Sequence, residues 1–105
     1  MKAQPKTWLV LFRDDPQMLE HRKSFGAQHL EYVSAHRDQI RLAGGTRFAE
    51  EAPFIGGAWV VLADDQAEVR ALVENDPYYH PVHRKFDINY WGLVFDQMNE
   101  ALSPQ

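Results

Sequence analysis

Short apolar runs alternate with amphipathic segments along this chain and predict four strands and two helices. The runs at 7–12 and 58–62 are continuously apolar with branched and aromatic residues, and the run at 86–95 begins with alternating apolar and polar positions. Both patterns are typical of strands covered on at least one face, and residues 41–48 have the pattern of a helix exit into a strand. Between them, the segments from Asp15-Pro16 to about Ile40 and from Gln66 to Glu74 have helical spacing.

The ends of both predicted helices carry capping and breaking residues. Asp14-Asp15-Pro16 places a carboxylate before a proline, which suits the start of a helix. A break is expected near Ser24–Gly26, because glycine is unfavourable inside a helix. Asp64-Asp65 precedes the second helix, and Asn75-Asp76-Pro77 ends it. The apolar stripe of the first helix consists of Phe25, His29, Tyr32 or Val33, His36 and Ile40.

The glycines are expected at connections. Gly44-Gly45 lies at the entry to the second strand, where it permits either positive backbone angles or close approach by another group. Residues 50–57, with Pro53 and Gly56-Gly57, are predicted to form a loop. The residues from Asp96 onward are predicted to form a polar tail or a short helix.

The element order β-α-β-β-α-β predicts an α+β, ferredoxin-like fold, with a four-stranded antiparallel sheet and both helices on one face. We expect one domain over residues 1–105, with its core at about 7–95. Trp8, Trp59 and Trp91 all lie in apolar runs, and if the strands carry aromatics on both faces they do not all fit under the helices. The uncovered face is therefore expected to pack against a second copy, which makes a homodimer.

Composition excludes several classes of function. The 15 acidic residues outnumber the 11 basic ones, and the basic residues are scattered, which argues against a nucleic-acid partner. Cysteine is absent, so disulfides, thiolate nucleophiles and cysteine-ligated zinc are excluded. No stretch is long and apolar enough to span a membrane, and Met1–Lys6 has no apolar region of a secretory signal. A cytoplasmic location without membrane contact is expected.

His29 and Asp76 are the candidate catalytic residues. A histidine titrates near neutral pH, and a carboxylate beside it orients the ring and favours its charged form. Such a pair suits proton abstraction next to a carbonyl, or proton-assisted elimination, without a redox cofactor. The alternatives are structural: a hydrogen-bonded core histidine, and an aspartate that only forms the turn before Pro77.

Three short motifs give the chain a family resemblance. Arg22 precedes His29-Leu30 by seven positions, Ala43-Gly44-Gly45 follows the first helix, and Asn75-Asp76-Pro77-Tyr78 follows the second. In these motifs the chain resembles the YciI-like (YCII-related domain) family of dimeric α+β barrel proteins. The resemblance implies a homodimer formed through the sheet and an active centre at His29 and Asp76. It also implies lyase or isomerase chemistry on hydroxylated or chlorinated aromatic compounds. Gly26 departs from the family, whose members often carry a basic residue there.

The remaining candidates concern the ligand. Arg22 would bind a substrate carboxylate through its planar guanidinium, or else lie solvated on the helix surface. Tyr78 and Tyr79 would line the pocket or only pack. His80 and His83 are a rival centre for a divalent metal, but without a fixed carboxylate we predict no metal site. No sequence element selects a haem, flavin or other cofactor, and none is predicted.

Two functions follow from these residues. The first is a small enzyme that uses the His29–Asp76 pair for general acid–base chemistry on a small aromatic or carboxylated metabolite. The second is a non-catalytic module in which the same cleft binds a small ligand or serves regulation.

Overall fold

A computed structural model describes residues 5–95 of the chain. Within this part, the elements occur in the predicted order, as four strands and two helices. Their bounds are β1 (Lys6–Asp14), α1 (Met18–Ala35), β2 (Ile40–Thr46), β3 (Gly56–Ala63), α2 (Gln66–Asn75) and β4 (Arg84–Tyr90). The predicted tail from Asp96 onward lies outside the described residues.

The strands form one antiparallel sheet in the order β2-β3-β1-β4. The two long strands, β1 and β3, are central, where Val10 lies opposite Trp59 on one side and Ile88 on the other. The prediction of an α+β, ferredoxin-like βαββαβ fold is confirmed.

The core lies between the helices and one face of the sheet. Val10, Phe12, Trp59 and Val61 supply its sheet side, and α2 contributes its buried face. The core residues of α2 are Val69, Leu72 and Val73. These side chains alternate along each strand with the residues of the opposite face, as a half-covered sheet requires.

The aromatic side chains of the described strands all lie on the helix-covered face, so the condition of aromatics on both faces is not met, and Trp91 follows β4 and is 40% exposed. Trp59 is buried in the core, and Trp8 packs against it with its indole N–H donating to the Ala63 carbonyl at 3.0 Å. Side chains in paired register share a face, so Trp8 lies with Val61 and Tyr90. The opposite face is aliphatic over three strands, where Leu42, Val60 and Leu9 lie in register, and polar at β4, where Asn89 follows Leu9 in the same row.

The first helix differs from its prediction in two ways. α1 runs unbroken through Ser24 and Gly26, because the lower helix propensity of one glycine is outweighed by a helix of 18 residues. Its inward stripe is also partly open: Phe25 is 39% exposed, and Met18 is the buried residue of the helix. Asp15 acts as expected before α1, since its carboxylate accepts the Gln17 N–H at 2.9 Å.

The glycines and the last strand also differ from their predictions. Gly56 and Gly57 belong to β3 and not to a loop, and within the described part no glycine has a positive φ. The backbone at Gly44-Gly45 is therefore ordinary strand, which leaves close approach as the reason for glycine at position 45, whereas a Cβ on Gly44 would meet nothing within 4 Å. β4 begins at Arg84, before the predicted run, and ends at Tyr90, so residues 91–95 are not strand.

The second helix is capped as predicted. Asp65 is its N-cap and accepts the Glu68 N–H at 2.9 Å, while Asp76 ends it in an extended conformation before Pro77. Among residues 5–95, neither helix is both long enough and apolar enough to cross a bilayer.

Candidate functional site

The two candidate catalytic side chains meet. His29, near the middle of α1, has its Nδ1 atom 2.7 Å from Oδ1 of Asp76, which follows α2. The Asp76 carboxylate is almost fully buried, at 2% exposure, and its Oδ1 also accepts the Tyr78 N–H at 3.1 Å. Asp76 therefore forms the turn and orients the ring at once, so the two readings of this residue are compatible.

Tyr78 links this pair to a cleft. Its ring stacks on the His29 imidazole with centroids 3.8 Å apart and planes 9° from parallel. The cleft has a volume of about 560 Å³ and is bordered by α1, Phe54 and Tyr78. Its lining residues are Pro16, Leu19, Glu20, Arg22, Lys23, Phe54 and Tyr78. The Tyr78 ring thus lies between His29 and the cleft, and 14% of the His29 side chain is exposed.

Arg22 forms part of the cleft wall and is not a solvated surface arginine. Its Nη2 donates to Asp14 Oδ2 at 3.0 Å and to the Gly56 carbonyl at 2.7 Å. Its guanidinium also lies over the Phe54 ring, 4.4 Å from the centroid, and 5.3 Å from that of Tyr78. These contacts hold the group in place at the cleft.

A second arginine reaches the same carboxylate. Arg84 is 6% exposed, and its Nε lies 3.1 Å from Asp14 Oδ1, within ion-pair distance. Asp14 and Arg84 are opposite each other on β1 and β4, which places both side chains on the helix-covered face. Burial lowers the pKa of Arg84 while the charge of Asp14 opposes that shift, so the guanidinium stays charged at neutral pH.

Glycines provide the space in which these groups lie. A Cβ on Gly45 would come within 2.6 Å of the Phe54 ring and 3.3 Å of Arg22 Nη1. A Cβ on Gly57 would lie 3.0 Å from Arg84 Nη2. Gly45 and Gly57 are paired in the sheet, and because neither has a side chain, both guanidinium groups can lie close to the backbone there. At Gly45, close approach by another group is thus the explanation for glycine, and a positive backbone angle is not.

The histidines after Tyr78 have structural partners. His80 Nδ1 accepts the N–H groups of Val82 and His83, both at 3.1 Å, and His83 Nδ1 lies 2.8 Å from Asp15 Oδ2. Partial burial, followed by the neighbouring His83 and His21 rings, lowers the pKa of His80. In the described part of the chain, no group of three or more His, Asp or Glu side chains is arranged to hold a metal. Tyr79 lies outside the lining of the cleft and donates its N–H to the Asp76 carbonyl at 2.8 Å.

Sequence reasoning missed Asp14, Phe54 and Arg84. Asp14 was interpreted only as a capping residue, and Phe54 lay within a predicted loop. Arg84 was outside the predicted strand. A signal was present, since an arginine at the start of a half-buried strand requires a partner, but only the register of β1 and β4 identifies that partner as Asp14.

Comparisons with known proteins agree with this architecture. The chain is 30% identical over 84 residues to aspercryptin biosynthesis cluster protein B of Emericella nidulans, covering 72% of this chain and 54% of that protein. It therefore spans about half the length of this curated relative. Among solved structures, it resembles 5-chloro-2-hydroxyhydroquinone dehydrochlorinase of Burkholderia phenoliruptrix AC1100, in complex with 2,5-dihydroxybenzoquinone. That match has a TM-score of 0.71 and 25% identity, and it covers 82% of this chain and 93% of the other.

A comparison with protein-family models shows the family to which the chain belongs. The model of the YCII-related domain matches residues 7–88, which include every strand and helix up to the middle of β4 and both members of the His29–Asp76 pair. The resemblance inferred from the three motifs is thereby confirmed. The chain belongs to the YCII-related domain family.

Proposed function

We propose that this protein is a small-molecule enzyme in which His29 transfers a proton and Asp76 orients it. The observation that carries the proposal is the 2.7 Å contact between His29 Nδ1 and the buried Asp76 carboxylate. An Nδ1–H donated to Asp76 leaves Nε2 with its lone pair, as the atom that accepts a proton from a ligand. The carboxylate then stabilises the imidazolium that forms.

Elimination or isomerisation is the chemistry that this pair suits best. Both reactions need one base that works near neutral pH, and neither needs a nucleophile on the protein. The similar dehydrochlorinase supports this reaction class, and its bound dihydroxybenzoquinone supports a hydroxylated aromatic compound as the kind of substrate. Arg22 and Tyr78, which line the cleft, are the proposed substrate-binding residues.

A non-catalytic binding module is the second candidate, and one observation favours it. The ring of Tyr78 lines the cleft, whereas His29 lies behind that ring. In this reading the His29–Asp76 pair holds Tyr78 in place, and the cleft only binds a small ligand.

A histidine substitution that keeps the contact with Asp76 separates these functions. In His29→Asn, the amide nitrogen takes the place of Nδ1 and can still donate to Asp76, but no atom replaces Nε2. We expect chloride release from 5-chloro-2-hydroxyhydroquinone to fall by about 10²- to 10⁴-fold. Binding of 2,5-dihydroxybenzoquinone should stay within about threefold of its original strength, which is about 0.7 kcal/mol.

The matched control is His36→Asn, at the C-cap of the same helix, whose ring contacts the Tyr32 carbonyl and not Asp76. It should leave turnover unchanged. Normal turnover in His29→Asn would disprove the proton-transfer role. Binding without turnover of any halogenated or hydroxylated aromatic compound in the unmodified protein would favour the binding module.

We also propose that two copies associate through the open face of the sheet. Leu42 is 61% exposed and Leu11 is 42% exposed there, with Leu9 next to Leu11 on the same strand face, while Val60 is 7% exposed. Exposed aliphatic side chains on one face of a sheet favour a partner that covers them. Separately, we propose a cytoplasmic location, with which the absence of cysteine is compatible.

A further inference from the structure

We infer that Arg22 and Arg84, which share the Asp14 carboxylate, give the cleft an excess positive charge that selects ligands with a planar anionic oxygen group, a phenolate or a carboxylate. This inference rests on the proposed function, because it names the substrate class of the same cleft. Arg22 is the residue that touches the ligand. Arg84 is a positioning residue that acts through Asp14.

The charges around the cleft do not balance. Two guanidinium groups face one carboxylate, with Arg22 Nη2 at 3.0 Å and Arg84 Nε at 3.1 Å from its two oxygens. The side chain of Asp14 is 1% exposed, so water screens this group little. One positive charge is left over at neutral pH.

The neighbouring Asp76 does not cancel this excess. Its carboxylate is engaged by His29 and by the Tyr78 N–H and pairs with neither arginine among the described residues. Arg22 also lowers the pKa of Arg84 more strongly than Asp76 raises it, so the second guanidinium outweighs Asp76 at this position. At the rim, Glu20 and Lys23 pair with each other at 3.5 Å, both well exposed.

Unused hydrogen-bond donors accompany the excess charge. Arg22 Nε and the Arg84 atoms Nε and Nη1 are buried donors without a hydrogen-bond partner among the described residues, against one buried acceptor that likewise has none, Asp14 Oδ1. Arg84 Nε is near Asp14 Oδ1, but the two atoms are not aligned for a hydrogen bond. Buried donors are nearly always satisfied, and a guanidinium without all its partners favours an added anion.

The surroundings suit a flat ligand. Phe54 and Tyr78 present aromatic surface to the cleft near the Arg22 guanidinium, and Leu19 and Pro16 add apolar lining. A planar ring would contact these side chains while its charged oxygen reached Nη1 of Arg22, because Nη2 already donates to Asp14 and Gly56. A phosphate or sulfate has no such aromatic body, so the cleft is expected to prefer aromatic anions to inorganic ones.

Matched aromatic probes test the charge directly. Binding of para-nitrophenolate is compared with that of para-nitroanisole, and para-nitrobenzoate with para-nitrobenzamide, each pair differing mainly in charge. We expect at least one anion to bind about tenfold more tightly than its neutral analogue. The phenolate absorbance should also show that the bound phenol ionises at lower pH than the free one. The preferred pair distinguishes phenolate from carboxylate as the natural group.

Substitutions of the two buried residues should act in opposite directions. Arg84→Met should reduce the anion preference by about tenfold while para-nitroanisole binds as before, and Arg84→Lys should restore most of it. Asp14→Asn should increase the preference, since it removes the counter-charge. If Arg84→Met does not fold, the inference is still tested by the other two variants: Arg84→Lys should keep most of the anion preference, and Asp14→Asn should increase it. Arg13→Met is the control, because Arg13 is 66% exposed and pairs with Asp87.

Three results would overturn the inference. These are equal binding of anionic and neutral probes, absence of binding by either anion at millimolar concentration, and equal effects of the substitutions on charged and neutral probes. The last is what a merely structural ion cluster predicts. None of these results bears on His29, since His29→Asn should lower turnover by about 10²- to 10⁴-fold and leave the anion preference intact. Failure of the proposed function and failure of this inference are therefore distinguishable.

Discussion

His29 and Asp76 are 47 residues apart in sequence, yet their side chains lie 2.7 Å from each other, Nδ1 to Oδ1. The contact joins the middle of α1 to the end of α2 and closes the helix layer beside the cleft. The same Asp76 oxygen accepts the Tyr78 N–H, so one buried carboxylate fixes both stacked rings.

Loss of this carboxylate should lower the free energy of unfolding. Asp76→Ala should cost about 2–3 kcal/mol, because two donors lose their acceptor, and Asp76→Asn about 1 kcal/mol, because its amide oxygen still accepts. Urea denaturation measures both. Asp87→Asn, in the exposed pair with Arg13, should cost less than about 0.5 kcal/mol. An equally small cost for Asp76→Ala would mean that the contact with His29 does not form in solution.

Gly26→Ala should stabilise the protein by about 0.5–1 kcal/mol, because the position is inside the unbroken α1. The new Cβ would lie 3.4 Å from the Tyr78 hydroxyl, an ordinary contact. Ala27→Gly, at the neighbouring exposed position, should lower the free energy of unfolding by a similar amount, and thermal denaturation of the two variants checks both changes. Destabilisation by Gly26→Ala would indicate that α1 breaks at Gly26 after all.

Tyr32 should make the fold sensitive to alkali. Burial of its ring, aided by the charge of Asp76, raises the pKa of Tyr32 from 10.0 to about 12, and its hydroxyl donates to the Leu72 carbonyl at 2.6 Å. The protonated form is favoured in the folded state, so its contribution to stability is complete below pH 10 and is lost as the pH rises towards about 12. Tyr32→Phe should remove this part of the alkaline decline, measured by denaturation at each pH. An unchanged decline would contradict the assignment.

His80 should contribute to acid sensitivity. Its Nδ1 accepts two backbone N–H groups, and protonation of that atom would break both bonds. The lowered pKa means that the unfolded chain takes up the proton first, so stability falls as the pH drops below the ordinary value of 6.5. Asp15 opposes this shift and His83 and His21 add to it. In His80→Asn the amide oxygen replaces Nδ1 without titrating, so the variant should lose less stability between pH 7 and pH 5, as followed by circular dichroism.

The open sheet face should determine the oligomeric state. Leu42→Lys places a charge at its edge and should convert a dimer to monomers, since a buried lysine without a partner is unfavourable. Light scattering at micromolar concentration gives the mass. Leu30→Lys is the control on the exposed side of α1, where Leu30 is 70% exposed. A monomeric unmodified protein would refute the homodimer.

The sequence alone determined the order and type of the elements, because periodicity, prolines and capping residues act over short distances. It also indicated His29, Asp76, Arg22 and Tyr78 as candidate site residues, because their motifs are local. Break points were less predictable: Gly26 is a poor helix residue, but the length of α1 and its packing outweigh that local preference.

Only the tertiary structure decided which distant groups share the cleft. The register of β1 against β4 places Arg84 opposite Asp14, and the pairing of β2 with β3 sets Gly45 beside Gly57, over which Phe54 and Arg22 lie. Such pairings depend on contacts across the whole sheet, and no spacing along the chain encodes them. Local motifs in the sequence thus indicate the proton-transfer candidates His29 and Asp76. The cluster of Arg22, Arg84 and Asp14 beside them forms only when the strands pair.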